Sequence, residues 1–188
     1  MGDAAVAAMG VCTTINDLVW VAIFALMNAT AIIVGKALGA GDRERAYLYA
    51  KRMMAGAVAA GVALGLLVIA VRWPLVNIFS GLSYPVREKA QFILMLGALT
   101  IWFRAFNTIN IVGVLRSGGD TLFSLCLDVG TLWLVGVTST GLAALVFHWP
   151  LEWVYACTFL EEAVKMAVGI PHFKKRQWMN VLTEQPQG

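Results

Sequence analysis

Residues 47–71 read YLYAKRMMAGAVAAGVALGLLVIAV, and this stretch decides the fold class. A transmembrane helix needs about 20 mostly apolar residues to cross roughly 30 Å of hydrocarbon. Four further stretches meet the same requirement. The five predicted spans cover residues 13–34, 47–71, 90–115, 122–147 and 151–170. Residues 171–188 are expected to form a cytoplasmic tail.

The overall composition agrees with a membrane protein. Hydrophobic residues make up 60% of the chain and charged residues 13%, with a mean hydropathy of +0.76. A soluble domain averages about 45–50% apolar and about 25% charged residues. No alternation of period two runs long enough for a barrel, and helices are the other way to satisfy the backbone in lipid. The sequence therefore predicts an all-α, polytopic transmembrane helical bundle.

Several functional classes find no support in the sequence. The net charge is only +3, and the basic residues lie between apolar stretches rather than in one cluster, which argues against nucleic-acid binding. Cys12, Cys126 and Cys157 are far apart in apolar surroundings, which is typical of packing residues. No catalytic or phosphate-binding motif is present. We therefore expect no enzyme activity, no metal site and no cofactor.

Prolines and glycines suggest where helices end or meet. Trp73 and Pro74 are expected to begin the loop after the second span, and Pro171 is expected to end the fifth. Gly61 and Gly65 form a G-x-x-x-G pair, which permits close approach of a neighbouring helix. The second span is therefore expected to pack tightly against another one.

Basic residues predict the orientation in the membrane. One predicted side holds nine of them: Lys36, Arg43, Arg45, Lys51, Arg52, Arg116, Lys174, Lys175 and Arg176. The other side holds Arg72, Arg87 and Lys89. Because cytoplasmic segments are enriched in Lys and Arg, we expect a cytoplasmic C-terminus and an external N-terminus in the cell (inner or plasma) membrane. Trp149, Trp153 and Trp178 fit interfacial belts.

Five ionisable residues lie well inside the predicted spans, where their cost makes them candidate functional residues. They are Arg104, Asp128, Glu161, Glu162 and Lys165. At about 1.5 Å of rise per residue, Arg104 is level with the two glutamates, so it should pair with Glu161 or Glu162. The same estimate pairs Asp128 with Lys165. Lys165 can also pair with Glu161 at i, i+4.

These five groups carry one more negative than positive charge if all ionise. An uncompensated negative charge in low dielectric favours a bound cation or a proton, as a cation-coupled carrier requires. A structural ion-pair network with one protonated glutamate is the other interpretation. Asn107 shares a polar helix face with Thr100 and Arg104. There it can either face a substrate or make an interhelical hydrogen bond.

Two glycine-rich motifs stand between the predicted spans. Residues 34–42 read VGKALGAGD, and residues 114–121 read VLRSGGDT. Both motifs resemble the hallmark cytoplasmic turns of the multidrug and toxic compound extrusion (MATE) family, and the end of the chain resembles that family's last helix. The motif residues are Gly35, Gly39, Gly41, Arg116, Gly118, Gly119 and Asp120. Because only glycine accepts a positive φ freely, these glycines are interpreted as hinges and connectors.

The resemblance implies helices eight to twelve of a twelve-helix transporter with two six-helix lobes. The N-terminal lobe and helix seven would then be missing partners, beside membrane lipid and a small organic, cationic substrate. The family exchanges drug-like compounds for ions, so the implied coupling ion is Na⁺ or H⁺. Ala105 stands where some members have a cation-binding aspartate, so that sodium site is not carried over.

Two other functions stay open at this point. A flippase for lipid-linked oligosaccharides or peptidoglycan precursors would share the lobe design, but it usually has a more basic cavity than Arg104 and Lys165 provide. A non-transporting membrane scaffold would use the intramembrane charges for packing alone.

Overall fold

The computed structural model describes residues 3–78 and 84–180, and in these ranges it contains helices and no strand. Five successive rods make up the bundle. The first three are α1 (Asp3–Gly39), α2 (Arg43–Ile78) and α3 (Tyr84–Thr108), the last continued by a π-helical end, Ile109–Arg116. α4 begins as Thr121–Thr131 and continues through Leu132–Val137, Thr138–Gly141 and Leu142–Val146; α5 comprises Leu151–Ala156 and Thr158–Lys174. The predicted all-α bundle is confirmed.

Four of these rods are long and apolar enough to cross a membrane. The qualifying segments are Asn16–Gly39, Arg43–Pro74, Val86–Arg116 and Thr121–Val146. The fifth predicted span lies in α5, which is interrupted at Cys157 and carries adjacent acidic residues, Glu161 and Glu162. Crossing by residues 151–170 therefore stays a prediction.

Two helix ends differ from the predictions made at prolines. α2 runs through Pro74 to Ile78, and α5 runs through Pro171 to Lys174. A proline removes one backbone hydrogen bond but does not have to end a helix that tertiary packing supports. Val76 and Phe173, two residues beyond the prolines, are both buried, and we attribute the continued helices to that burial.

The expected close approach of α2 is confirmed, and its partner is α3. A Cβ atom placed on Gly61 would lie 2.5 Å from the Trp102 Cα atom. One placed on Gly65 would lie 2.5 Å from the carbonyl oxygen of Ala98. Any side chain at either glycine would therefore push the two backbones apart.

The two motif turns close their helices in the same way. Gly41 has φ +76° and Gly119 has φ +89°. In the first turn the Asp42 N–H donates to the Ala37 carbonyl at 3.0 Å, and in the second the Asp120 N–H donates to the Leu115 carbonyl at 3.0 Å. This is the Schellman arrangement, in which glycine supplies the left-handed residue.

The other motif glycines do not have a positive φ, so the left-handed conformation does not explain them. Gly118 is required by packing, because a Cβ atom there would overlap the Trp178 ring. No neighbouring atom lies within 4 Å of a Cβ atom placed on Gly35 or Gly39. Neither backbone freedom nor close packing explains these two.

Residues 173–180, here named the C-terminal clasp, connect the end of α5 to the second motif turn and to the start of α2. Trp178 is fully buried, so its predicted place in an interfacial belt is wrong. Its indole N–H donates to the Phe173 carbonyl at 3.1 Å, and the Asn180 N–H donates to the Gly118 carbonyl at 2.9 Å. The tail and the second turn are therefore held together at one end of the bundle.

The clasp also reaches the start of α2. Arg176 pairs with Glu44, and its guanidinium lies 4.2 Å from the ring centroid of Tyr47. The hydrogen bond to the Glu44 carboxylate raises the pKa of Arg176 above its ordinary value. The basic residues of these segments predict that they lie on the same side of the membrane. In the structure the segments lie at the same end of the bundle.

Candidate functional site

Two polar side chains of α3 face α5 from neighbouring turns. Asn107 is 2% exposed, and its amide nitrogen donates to both the backbone carbonyl and the Oε2 atom of Glu162, each at 2.8 Å. The Nε atom of Arg104 lies 3.5 Å from the Oε1 atom of the same carboxylate. Both carboxylate oxygens of Glu162 are therefore held by α3. Of the two predicted partners for Arg104, the structure selects Glu162.

Lys165 connects α5 to α4. Its Nζ atom lies 2.7 Å from Glu161 and 2.9 Å from Asp128. The Lys165 and Glu161 side chains are 11% and 12% exposed, so their contact is largely desolvated, whereas the Asp128 side chain is 41% exposed. Gly136 of α4 makes room for the Glu161 carboxylate, because a side chain at that glycine would collide with it. Both predicted pairings of Lys165 are confirmed.

Arg116 is the member of the cluster that sequence reasoning missed. Its guanidinium lies 3.4 Å from the carboxylate of Asp128, which is in the second helical turn of α4. The Arg116 side chain extends from the 114–121 motif to reach it. The ionic cluster then contains three basic and three acidic side chains. With Arg116 included the cluster is neutral when every group ionises, so the surplus of one negative charge holds only for the five groups counted from the sequence.

Asn110 is a second residue whose role needed the tertiary structure. Its side chain is completely buried in the π-helical end of α3, beside Gly169 of α5 and Leu127 of α4. Neither its amide nitrogen nor its amide oxygen has a hydrogen-bond partner among the described residues. Its place one turn from Asn107 was visible in the sequence, but its burial was not.

The motif turns lie apart from this cluster, except for Arg116. The Nε2 atom of His172 lies 2.5 Å from the Oδ2 atom of Asp120, and the His172 ring stacks on Phe123. These contacts tie the second turn to α5. Within the described residues, no group of three or more His, Cys, Asp or Glu side chains is placed to hold a metal ion.

A family model for MatE matches residues 1–139 of the 188-residue chain. The chain belongs to the MatE family. Neither a curated protein nor a solved structure matches it significantly. MatE proteins are membrane transporters, so the predicted MATE resemblance and the multi-pass membrane location are confirmed.

The MatE match covers both glycine turns and half of the ionic cluster. Arg104, Arg116 and Asp128 lie within the matched residues. The cluster members on α5, namely Glu161, Glu162 and Lys165, lie beyond it. Their place in the site therefore depends on the contacts described above rather than on the family match.

Proposed function

We propose that this MatE chain forms part of a secondary antiporter that exports drug-like organic cations in exchange for Na⁺ or H⁺. The observation that carries the proposal is the ion-pair cluster that joins α5 to α3 and α4, two helices long and apolar enough to span a membrane. Ionisable side chains within a membrane are expensive, and they commonly mark ion or substrate pathways. The proposed setting is the cell membrane, with the C-terminus cytoplasmic.

Glu162 is the carboxylate best placed for exchange. Its partner Arg104 is held at 3.5 Å, a longer separation than that of Lys165 from either of its carboxylates. A proton or Na⁺ at Glu162 would weaken the attraction to Arg104, while Asn107 could keep its hydrogen bond to the backbone carbonyl. The neutral cluster would then gain a positive charge, and the contact between α3 and α5 would loosen.

The proposal includes a second lobe. Alternating access in such carriers comes from two repeats rocking around a site at their interface. We therefore expect this bundle to work against an N-terminal lobe and a helix seven, with the organic cation bound between the lobes. The five rods alone should not transport.

The test measures ethidium uptake into everted membrane vesicles that contain this chain together with the N-terminal lobe. Uptake should follow an imposed proton or sodium gradient. Glu162→Gln should abolish the gradient-dependent part, because glutamine neither binds the coupling ion nor attracts Arg104. Glu152→Gln is the matched control, since Glu152 lies on α5 but pairs with Lys89 at 3.8 Å, outside the cluster. Equal gradient-driven uptake by the wild type and Glu162→Gln would refute the exchange site.

A non-transporting membrane scaffold is the second candidate, and the neutral charge balance favours it. A fully compensated network needs no coupling ion and could serve helix packing alone. In that case Glu162→Gln would lower the thermal stability of the protein, and wild-type vesicles would show no gradient-driven uptake. The same vesicles and a melting curve therefore separate the two candidates.

A further inference from the structure

A groove of about 600 Å³ lies between the end of α1 and the first turns of α2. Its size is within the range of about 300–1,000 Å³ usual for small-molecule sites. It is lined by Ile33, Lys36, Ala37, Ala40, Asp42, Arg45, Tyr49, Arg52 and Met53. None of these residues belongs to the ionic cluster, so the groove needs a separate explanation.

Each helix contributes one face to this groove. On α2, Arg45, Tyr49 and Arg52 are spaced at i, i+4 and i+7, which places them along one side. On α1, Ile33 and Lys36 are three residues apart on the groove side. The lining thus combines basic and apolar side chains on both walls.

The basic residues lie at the expected edge of the hydrocarbon layer. Eighteen residues without an ionisable side chain separate Asp17 from Lys36, and nineteen separate Arg52 from Arg72. At about 1.5 Å per residue these stretches span about 27 and 29 Å, close to the roughly 30 Å thickness of the hydrocarbon. Lys36 and Arg52 therefore each end an uncharged stretch that is nearly long enough to cross the hydrocarbon.

On each helix one larger apolar side chain of the lining lies on the hydrocarbon side of the basic one. Ile33 precedes Lys36 by three residues within the uncharged stretch of α1, and Met53 begins the uncharged stretch of α2. Each wall of the groove therefore changes from basic to apolar along its own helix. A phospholipid, with its acyl chains below its phosphate, has the same order.

The charge balance of the groove is positive. Lys36, Arg45 and Arg52 face a single carboxylate, that of Asp42. Asp42 already caps α2 by accepting the Arg45 backbone N–H at 3.0 Å, and its other oxygen lies 3.2 Å from the Arg45 side chain. In the described part of the chain, Lys36 and Arg52 have no ion-pair partner within 4.0 Å. Two positive charges thus remain for a ligand.

We propose that this groove binds one anionic phospholipid, with its phosphate between Lys36 and Arg52 and an acyl chain along Ile33 and Met53. Tyr49 is half-buried and lies between Lys36 and Arg52 in the sequence. Its phenolic hydroxyl can add a hydrogen bond to the headgroup. Basic pockets between transmembrane helices at the cytoplasmic side bind such headgroups through the same chemistry. The inference does not depend on the proposed transport activity.

The test titrates the detergent-purified chain with dioleoyl phosphatidylglycerol, dioleoyl phosphatidylcholine or inorganic phosphate, followed by native mass spectrometry. The wild type should retain one phosphatidylglycerol with at least about tenfold preference over phosphatidylcholine, as two nearby basic residues would give. Lys36→Gln with Arg52→Gln should remove that preference. Lys36→Arg with Arg52→Lys should keep it, which excludes a folding defect as the cause.

The matched control is Lys174→Gln with Lys175→Gln. These exposed lysines lie at the same end of the bundle, outside the groove, and their loss changes the net charge equally. The control should keep the lipid preference. An equal loss in both double variants would overturn the proposal in favour of diffuse electrostatic attraction. Equal binding of the two lipids, or displacement of phosphatidylglycerol by stoichiometric phosphate, would also overturn it.

Discussion

At the scale of single residues, Arg116 shows how one side chain sets the electrostatics of the cluster. Asp128 has two basic partners, Lys165 at 2.9 Å and Arg116 at 3.4 Å. Without Arg116, a single lysine would have to compensate both Asp128 and Glu161. The two-partner arrangement therefore gives each carboxylate of the cluster at least one basic partner.

Arg116→Gln should lower the free energy of unfolding by about 1–2 kcal/mol. This value lies between those of exposed and buried ion pairs, because the Arg116 and Asp128 side chains are 38% and 41% exposed. Thermal unfolding in detergent micelles measures it. In an Asp128→Asn background the same substitution should cost little, as a double-mutant cycle would show. A cost that is equal in both backgrounds would rule out the pair as its source.

At the scale of elements, the two glycine turns are built alike but connected differently. Both use glycine at a positive φ followed by aspartate, at Gly41-Asp42 and Gly119-Asp120. Asp42 caps the next helix, whereas Asp120 makes no side-chain cap and pairs with His172 instead. A side-chain contact therefore links the second turn to α5, so a displacement of α5 would be transmitted directly to that turn.

Gly119→Ala should destabilise the protein by about 1–2 kcal/mol, because a left-handed backbone conformation is unfavourable for alanine by about that amount. Gly118→Ala should also destabilise it, by displacing Trp178 from its buried place. Gly35→Ala is the control, since that glycine is helical with free space around it and alanine favours a helix by about 1 kcal/mol. Melting temperatures in detergent give the comparison. A drop for Gly35→Ala as large as the others would contradict this account of the turns.

At the scale of the whole molecule, contacts between distant segments fix which ends lie together. Arg176 of the clasp pairs with Glu44 at the start of α2, and Asn180 bonds to the second turn. At the other end, Lys89 at the start of α3 pairs with Glu152 at the start of α5. The bundle thus has a basic end that includes the clasp and an opposite end with few basic residues.

Cysteine labelling in intact cells should place the basic end in the cytoplasm. The background lacks the native cysteines Cys12, Cys126 and Cys157. An impermeant maleimide should label His148→Cys from outside, and it should label Ala40→Cys and Lys175→Cys only after the membrane is opened. The reverse pattern would invert the orientation. Different accessibility of Ala40→Cys and Lys175→Cys would contradict the shared end itself.

The sequence by itself determined the all-helical membrane fold, the two glycine turns and three of the four ion pairs of the cluster. Apolar length and helical rise are local properties, so depth along a span can be counted from the chain, as it was for Arg104 and Lys165. Positive φ at Gly41 and Gly119 is likewise a local requirement of the turn.

Only the tertiary structure decided the neutral charge balance, the buried place of Trp178 and the choice of Glu162 as the partner of Arg104. Each depends on which helices meet and on how far a long side chain reaches across the gap. Residue spacing gives depth along one helix, but it does not give the distance to a neighbouring helix. The Arg116 side chain, which extends from a turn back to α4, therefore remained invisible until the helices were packed.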